Sequence, residues 1–161
     1  MLKLSAIPSS LRHAGGVLVL ILLSLAMAPE AAQAQVDGAR MYATVCSSCH
    51  QASGEGVPGA FPPLAESEWV TGDEARLVKI ILHGLMGEID VAGEIYAGMM
   101  PPWGSLKDDE IAAISSYVRS NFGNDAPAVT TATVARIRAE SSSRKTPWTV
   151  EELVLSTAAE K

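Results

Sequence analysis

Cys46-Ser47-Ser48-Cys49-His50 is the stretch on which the reading of this sequence turns. Two intervening residues put both thiols on one side of a single tight turn, and the His projects immediately after them. These are the only two cysteines among 161 residues, so no other thiol competes for a role. Three ordinary uses of a close thiol pair fit poorly. A zinc site needs about four ligands, and no second Cys pair exists. A redox dithiol of the thioredoxin kind sits where a strand enters the helix of a βαβ unit, and no such alternation surrounds residues 46–50. A disulfide here would close a very short loop, which constrains the unfolded chain little. The pattern that remains is C-x-x-C-H, in which the thiols add across the vinyl groups of a haem and the His ligates its iron.

Upstream, Lys3 and Arg12 precede an apolar run from Val17 to Met27, which leads to Ala32-Gln33-Ala34. Basic, then apolar, then A-x-A is the order of a secretory signal, with cleavage expected after Ala34. The run is shorter than the roughly 20 residues that span a bilayer. Residues 1–34 therefore read as a cleaved signal peptide and place the mature chain in the periplasm, with no membrane span in it. From residue 35 onward ten basic and seventeen acidic residues remain, a net charge of −7. Such a balance argues against nucleic acid, which demands clustered Lys and Arg. It suits docking to a partner with a basic patch.

Downstream, the sequence predicts an all-α domain of about three main helices joined by long loops. Val36 to Val45 has helical spacing, with Asp37 as its N-cap and Gly38 and Tyr42 on one face. Gln51 to Leu64 is broken by glycines and prolines; a loop this long needs something to pack on, and Phe61 and Leu64 are its apolar candidates. Thr71 to Leu82 is the second helix, capped by Thr71 and Glu74, with Leu77, Val78, Ile81 and Leu82 inward, Arg76 and Lys79 outward, and Gly84 ending it. His83 in its last turn suits the helix dipole or a backbone carbonyl rather than iron. Gly84 to Gly98 reads as a short hairpin or an extended loop around Gly93, and Met86 as core packing. Met99 and Met100 precede Pro101-Pro102, which stiffen the backbone there. Ser105 opens the third helix, with Leu106, Ile111, Ile114, Tyr117 and Val118 as its stripe, and Tyr117 is expected against the Gly38/Tyr42 face. Residues 125–161 form a C-terminal extension. It is expected to dock loosely, with a short helix at Val134 to Ala139, a polar linker, and a last turn capped by Thr149 and Glu152. A partner-binding segment around Trp148 is the alternative.

C-x-x-C-H after a short helix, a Pro-Leu loop, a Met before Pro-Pro and a closing amphipathic helix together resemble the class I cytochrome c family over roughly Asp37 to Asn124. Tyr96 to Gly104 (YAGMMPPWG), followed by DDEIAAISSYVRSNFGN, looks like the cytochromes that accompany periplasmic quinoprotein-type dehydrogenases. The resemblance implies one covalent haem c on Cys46 and Cys49, with His50 as proximal ligand. Met100 is implied as the distal one, the adjacent Met99 being the alternative. It implies that the Pro62 carbonyl accepts the other imidazole N–H. It divides the mature chain into a cytochrome domain over residues 35–124 and the extension. The function implied is one-electron transfer from a periplasmic dehydrogenase to another cytochrome or a terminal oxidase. A haem enzyme or sensor of peroxidase or gas-binding type, with an open sixth iron position, is the competing reading.

Overall fold

The computed structural model describes residues 36–158. The expected signal peptide lies outside these residues. The described part has seven helical segments, α1 (Gly38–Val45), α2 (Ser47–His50), α3 (Glu68–Thr71), α4 (Glu74–His83), α5 (Asp108–Ser120), α6 (Thr131–Glu140) and α7 (Val150–Ala158), together with one hairpin, β1 (Leu85–Val91) and β2 (Glu94–Met100). The helical expectation holds in the main but is corrected in detail. Of the hairpin or loop expected over Gly84 to Gly98 the chain forms the hairpin, a two-stranded antiparallel sheet. The tail carries full helices of ten and nine residues where a short helix and a last turn are expected. None of the described helices is long and apolar enough to cross a membrane.

Helix α1 starts where Asp37 accepts the Arg40 amide at 3.1 Å. Its one buried side chain is Tyr42, whose ring lies 5.5 Å from that of Tyr117 and 5.1 Å from that of Phe122. Gly38 is a requirement of the crossing with α5, because a Cβ there would collide with the Ala113 carbonyl. The first and last helices of the matching motif set therefore meet as the sequence predicts.

Helix α4 departs from expectation at its start. Thr71 belongs to the short α3, and Gly72 separates the two helices; the cap is Asp73, which accepts the Ala75 and Arg76 amides at 2.7 and 3.2 Å. Lys79 was expected in solvent and is buried, its ammonium 5.8 Å from the Trp148 ring. The reason is that α4 is covered on both sides, by α5 on one and by the C-terminal segment on the other. Helix α5 likewise begins at Asp108 rather than Ser105, with the Glu110 carboxylate reaching back to the Lys107 amide at 2.8 Å.

The hairpin pairs Leu85 with Met100 through to Val91 with Glu94. Its turn residues Ala92 and Gly93 both have positive φ, 54° and 82°, as a two-residue turn matched to the strand twist requires. Alternation buries Leu85, Ile89, Val91 and Tyr96 and leaves Met86 and Met99, which face each other in register, outside. Met86 is therefore not core packing but 43% exposed.

The tail is not loosely docked. Val134 and Ile137 of α6 are fully buried in one apolar cluster with Val78, Ile111 and Val118, and Leu153 of α7 is fully buried in a second with Ile80, Leu85 and Tyr96. Arg138 ties α6 to the start of α5 through the Asp108 carboxylate and the Gly104 and Leu106 carbonyls, each at 2.7 Å. Buried Arg119 holds the Pro127, Val70 and Gly72 carbonyls at 2.7, 2.6 and 3.0 Å, so its charge is spread over three acceptors. Thr149 and Glu152 cap α7 reciprocally, as expected, with amide bonds of 3.3 and 3.0 Å.

Candidate haem site

The cysteine turn follows α1 without a break in direction. The Cys46 amide closes on the Tyr42 carbonyl at 2.8 Å, and the Cys46 carbonyl then accepts the Cys49 and His50 amides at 3.2 and 3.0 Å. One turn of helix thus delivers two thiols and an imidazole to the same wall. Gln51, at φ 62°, turns the chain away, and its carbonyl is held by the Tyr42 hydroxyl. Burial, more than the nearby Cys46 and Tyr117, pushes Tyr42 up to about 12, so that hydroxyl remains a donor.

His50 is buried, and its Nδ1 lies 2.9 Å from the Pro62 carbonyl. A carbonyl only accepts, so Nδ1 carries the proton and Nε2 keeps its lone pair. Burial holds the imidazole below its ordinary 6.5, against the opposing pull of the Pro62 bond, and favours that neutral form. Among the described residues nothing hydrogen-bonds Nε2. The loop that brings Pro62 in depends on Gly56, at φ 67°: a Cβ there would strike the Phe61 and Pro62 carbonyls. The Gly56 amide also bonds the His50 carbonyl at 3.0 Å, locking loop and turn together.

These groups open onto an apolar cavity of about 370 Å³. Cys46, Cys49, His50 and Pro62 form one part of its wall; Leu77 and Ile81 of α4, Ile114 and Val118 of α5, and the hairpin form the rest. Met100 and Met99 both border it, but their surroundings differ. Met100 is half-buried and packs on both apolar clusters, whereas Met99 is 65% exposed on the outer face of the hairpin. Strand alternation separates them. The residue after Met100 is Pro101, and the Trp103 amide then fastens the chain to the Ile81 carbonyl at 2.8 Å. Leu64 packs on the first cluster, and Phe61, 40% exposed, stands at the edge of the cavity.

The residues present fit a haem. An imidazole with a free Nε2, a thioether and two thiols on one apolar cavity are the donor set for a covalently held, axially ligated macrocycle. The thiols do not suit a redox dithiol. Burial first, and Cys49 second, push Cys46 up to about 11, opposite to the depressed values that make such pairs reactive. Among the described residues no group of three or more His, Cys, Asp or Glu side chains is arranged for a metal ion.

The sequence profile of the Cytochrome c family matches residues 35–122. This chain belongs to the cytochrome c family. Cytochromes c of this family carry haem c covalently, and Cys46 and Cys49 of this one fit its C-x-x-C-H motif. A cytochrome c-552 from Thermus thermophilus is 44% identical over 97 residues, covering 58% of this chain and 65% of that protein. The fructose dehydrogenase cytochrome subunit of Gluconobacter japonicus is 34% identical over 111 residues, 64% of this chain and 22% of that one. The alcohol dehydrogenase (quinone) cytochrome c subunit of Gluconacetobacter polyoxogenes is 38% identical over 109 residues, 65% and 23% of the two chains. This cytochrome thus spans less than two thirds of the first relative and less than a quarter of the other two.

Two polar-tipped aromatics that line the cavity are already engaged. Trp69 Nε1 donates to the Asp90 carbonyl at 2.7 Å, and the Tyr96 hydroxyl to Glu94 at 3.0 Å. His83 is nowhere committed to the dipole alone: its Nε2 lies 2.7 Å from the Ser141 hydroxyl. That hydroxyl gives its own proton to the Ile137 carbonyl at 2.7 Å, so His83 is the donor. Sequence reasoning passed over the hairpin's inward row, Leu85, Ile89 and Val91, as cavity lining. The alternate spacing of Ile89 and Val91 was the available sign.

Proposed function

We propose that this cytochrome is an exported, periplasmic one-electron carrier, with haem c on Cys46 and Cys49, His50 Nε2 as proximal ligand and the Met100 thioether as distal ligand. The observation that carries this reading is that a neutral, oriented imidazole and an inward thioether border one apolar cavity, so both axial positions have a donor from the chain. Bound in this way, haem supplies a one-electron couple that the thioether biases toward ferrous iron. The chain's part is to fix those ligands and keep the cavity dry. The Pro62 carbonyl orients His50, the Leu85 pairing and Pro101 orient Met100, and the apolar walls exclude water. Residues 35–124 are the haem-binding part and residues 125–161 an extension, packed upon it through Val134, Ile137 and Leu153.

Its electron donor is a periplasmic dehydrogenase and its acceptor another cytochrome or a terminal oxidase. Relatives named as cytochrome subunits of fructose and quinone alcohol dehydrogenases support the first, and one named as the FixP subunit of a cbb3-type cytochrome c oxidase, 37% identical over 90 residues, supports the second. The test is the ferric spectrum of three proteins. Wild type should show the Met–iron charge-transfer band in the red, Met99→Ala should keep it and Met100→Ala should lose it. Loss in Met99→Ala instead reassigns the ligand. A wild type without the band has no Met thioether on the iron, which defeats the ligand assignment and reopens the peroxidase or gas-binding reading.

A further inference from the structure

Residues beyond 122 lie outside the family match, yet they reach β1, the strand paired with the one that carries Met100. The Trp148 amide donates to the Gly84 carbonyl at 3.0 Å, and the Met86 amide donates to the Trp148 carbonyl at 2.8 Å. This makes a parallel bridge between Trp148 and Leu85, and Leu85 is the cross-strand partner of Met100. The order across the sheet is therefore Trp148, Leu85, Met100. The tail meets the outer edge of β1 at this one bridge.

Its position matters because of where a hairpin is weakest. A lone two-stranded hairpin is marginal in water, and the Leu85–Met100 pair lies at the open end, furthest from the turn at Ala92–Gly93. That end frays first, and it is where Trp148 pairs. The ring is held in turn. The Arg144 guanidinium stacks 3.6 Å from its centroid and bonds the Thr146 and Pro147 carbonyls at 2.9 and 2.8 Å, while Glu152 holds Arg144 from α7. Trp148, Val150 and Leu153 share an apolar cluster with Leu85 and Met100. On the other side, Gly84 lies so close beneath the Met100 carbonyl that no Cβ fits between them.

Resting on the reading of Met100 as distal ligand, we propose that Trp148 is a positioning residue: the C-terminal strap it pins along β1 holds the open end of the hairpin shut and thereby keeps the Met100 thioether on the iron. The strap acts through Leu85 and does not touch the reacting atoms.

Imidazole added to the ferric holoprotein competes with the thioether, and loss of the red band reports the exchange. Trp148→Ala should bind imidazole about tenfold more tightly than wild type, equivalent to about 1.4 kcal/mol of lost holding. Trp148→Phe should return to within about twofold. Arg144→Gln, a milder change that leaves the ring in place, should shift affinity the same way by about threefold, and it decides the matter if Trp148→Ala does not fold. The Met86 amide should exchange its hydrogen faster in both weakened variants, a readout independent of the haem. Ile137→Ala controls for general destabilisation and should leave imidazole affinity within about twofold of wild type. Unchanged affinity in Trp148→Ala and Arg144→Gln, or an equal rise in Ile137→Ala, overturns the strap. If Met100→Ala keeps the band, the ligand assignment itself fails and the proposal falls with it. A band lost in Met100→Ala but untouched by imidazole in Trp148→Ala defeats the strap alone.

Discussion

Replacing Ile137 by Ala tests whether the last quarter of the chain belongs to the core. Ile137 is 0% exposed and packs in the cluster that contains Val78, Ile111 and Val118. The substitution removes three carbons, at about 0.8 kcal/mol each for lost burial, and leaves a cavity that the surrounding helices close only in part. Ile→Ala changes of this kind cost about 2–5 kcal/mol, and a site walled by α4 and α5 leads us to expect about 3 kcal/mol. Guanidinium unfolding of the holoprotein, followed by far-ultraviolet circular dichroism, should show a lower midpoint at unchanged slope. Arg136→Ala in the same helix is the control. Its ion pair with Glu140 is about half exposed on both sides, and its loss should cost under about 0.5 kcal/mol. A cost below about 1 kcal/mol for Ile137→Ala refutes the reasoning, since a helix that opens ahead of the rest contributes little to global stability.

Burial first, then Arg144, Arg138 and Lys145, hold His83 below 6.5 in the fold. The unfolded chain therefore binds the proton more readily, and this stability is fully present above about pH 6.5 and is lost as pH falls from there through the lower value of the folded state. His83→Gln should flatten the acid-side slope of unfolding midpoint against pH; a slope left as steep as wild type contradicts the assignment. Gly38→Ala should lower the melting temperature although Ala is the better helix former by about 1 kcal/mol. The Ala113 carbonyl cannot rotate away, and overpacking of this kind costs about 1–3 kcal/mol. A more stable variant would mean that the two helices separate at little cost.

What could be read from the sequence was mostly local. The cysteine turn needs only spacing, and the Gly38, Tyr42 and Tyr117 contact follows from small-against-large complementarity on two amphipathic helices. The hairpin stayed ambiguous because Gly87 and Gly98, opposite each other in register, blank out one rung of the alternation. Thr71 looked like a cap because Glu74 stands three residues on, but Asp73 takes the role once Gly72 separates the two helices. Lys79 and the tail were misread together. Helix α6, TATVARIRAE, has few apolar residues, and only its docking across α4 shows that Val134 and Ile137 are core and that the outer face of α4 is not outer at all.

Strand alternation gives Met99 and Met100 opposite chemical fates. Methionine takes up oxygen from peroxide in proportion to its accessibility, becoming a polar sulfoxide that enzymes can reduce again. Met99 and its cross-strand neighbour Met86 both stand outside, while Met100 is turned inward one residue away. In an oxidising compartment the outer pair wears first. That wear is confined to side chains that pack on neither apolar cluster, so it leaves the inward Met100 thioether in place.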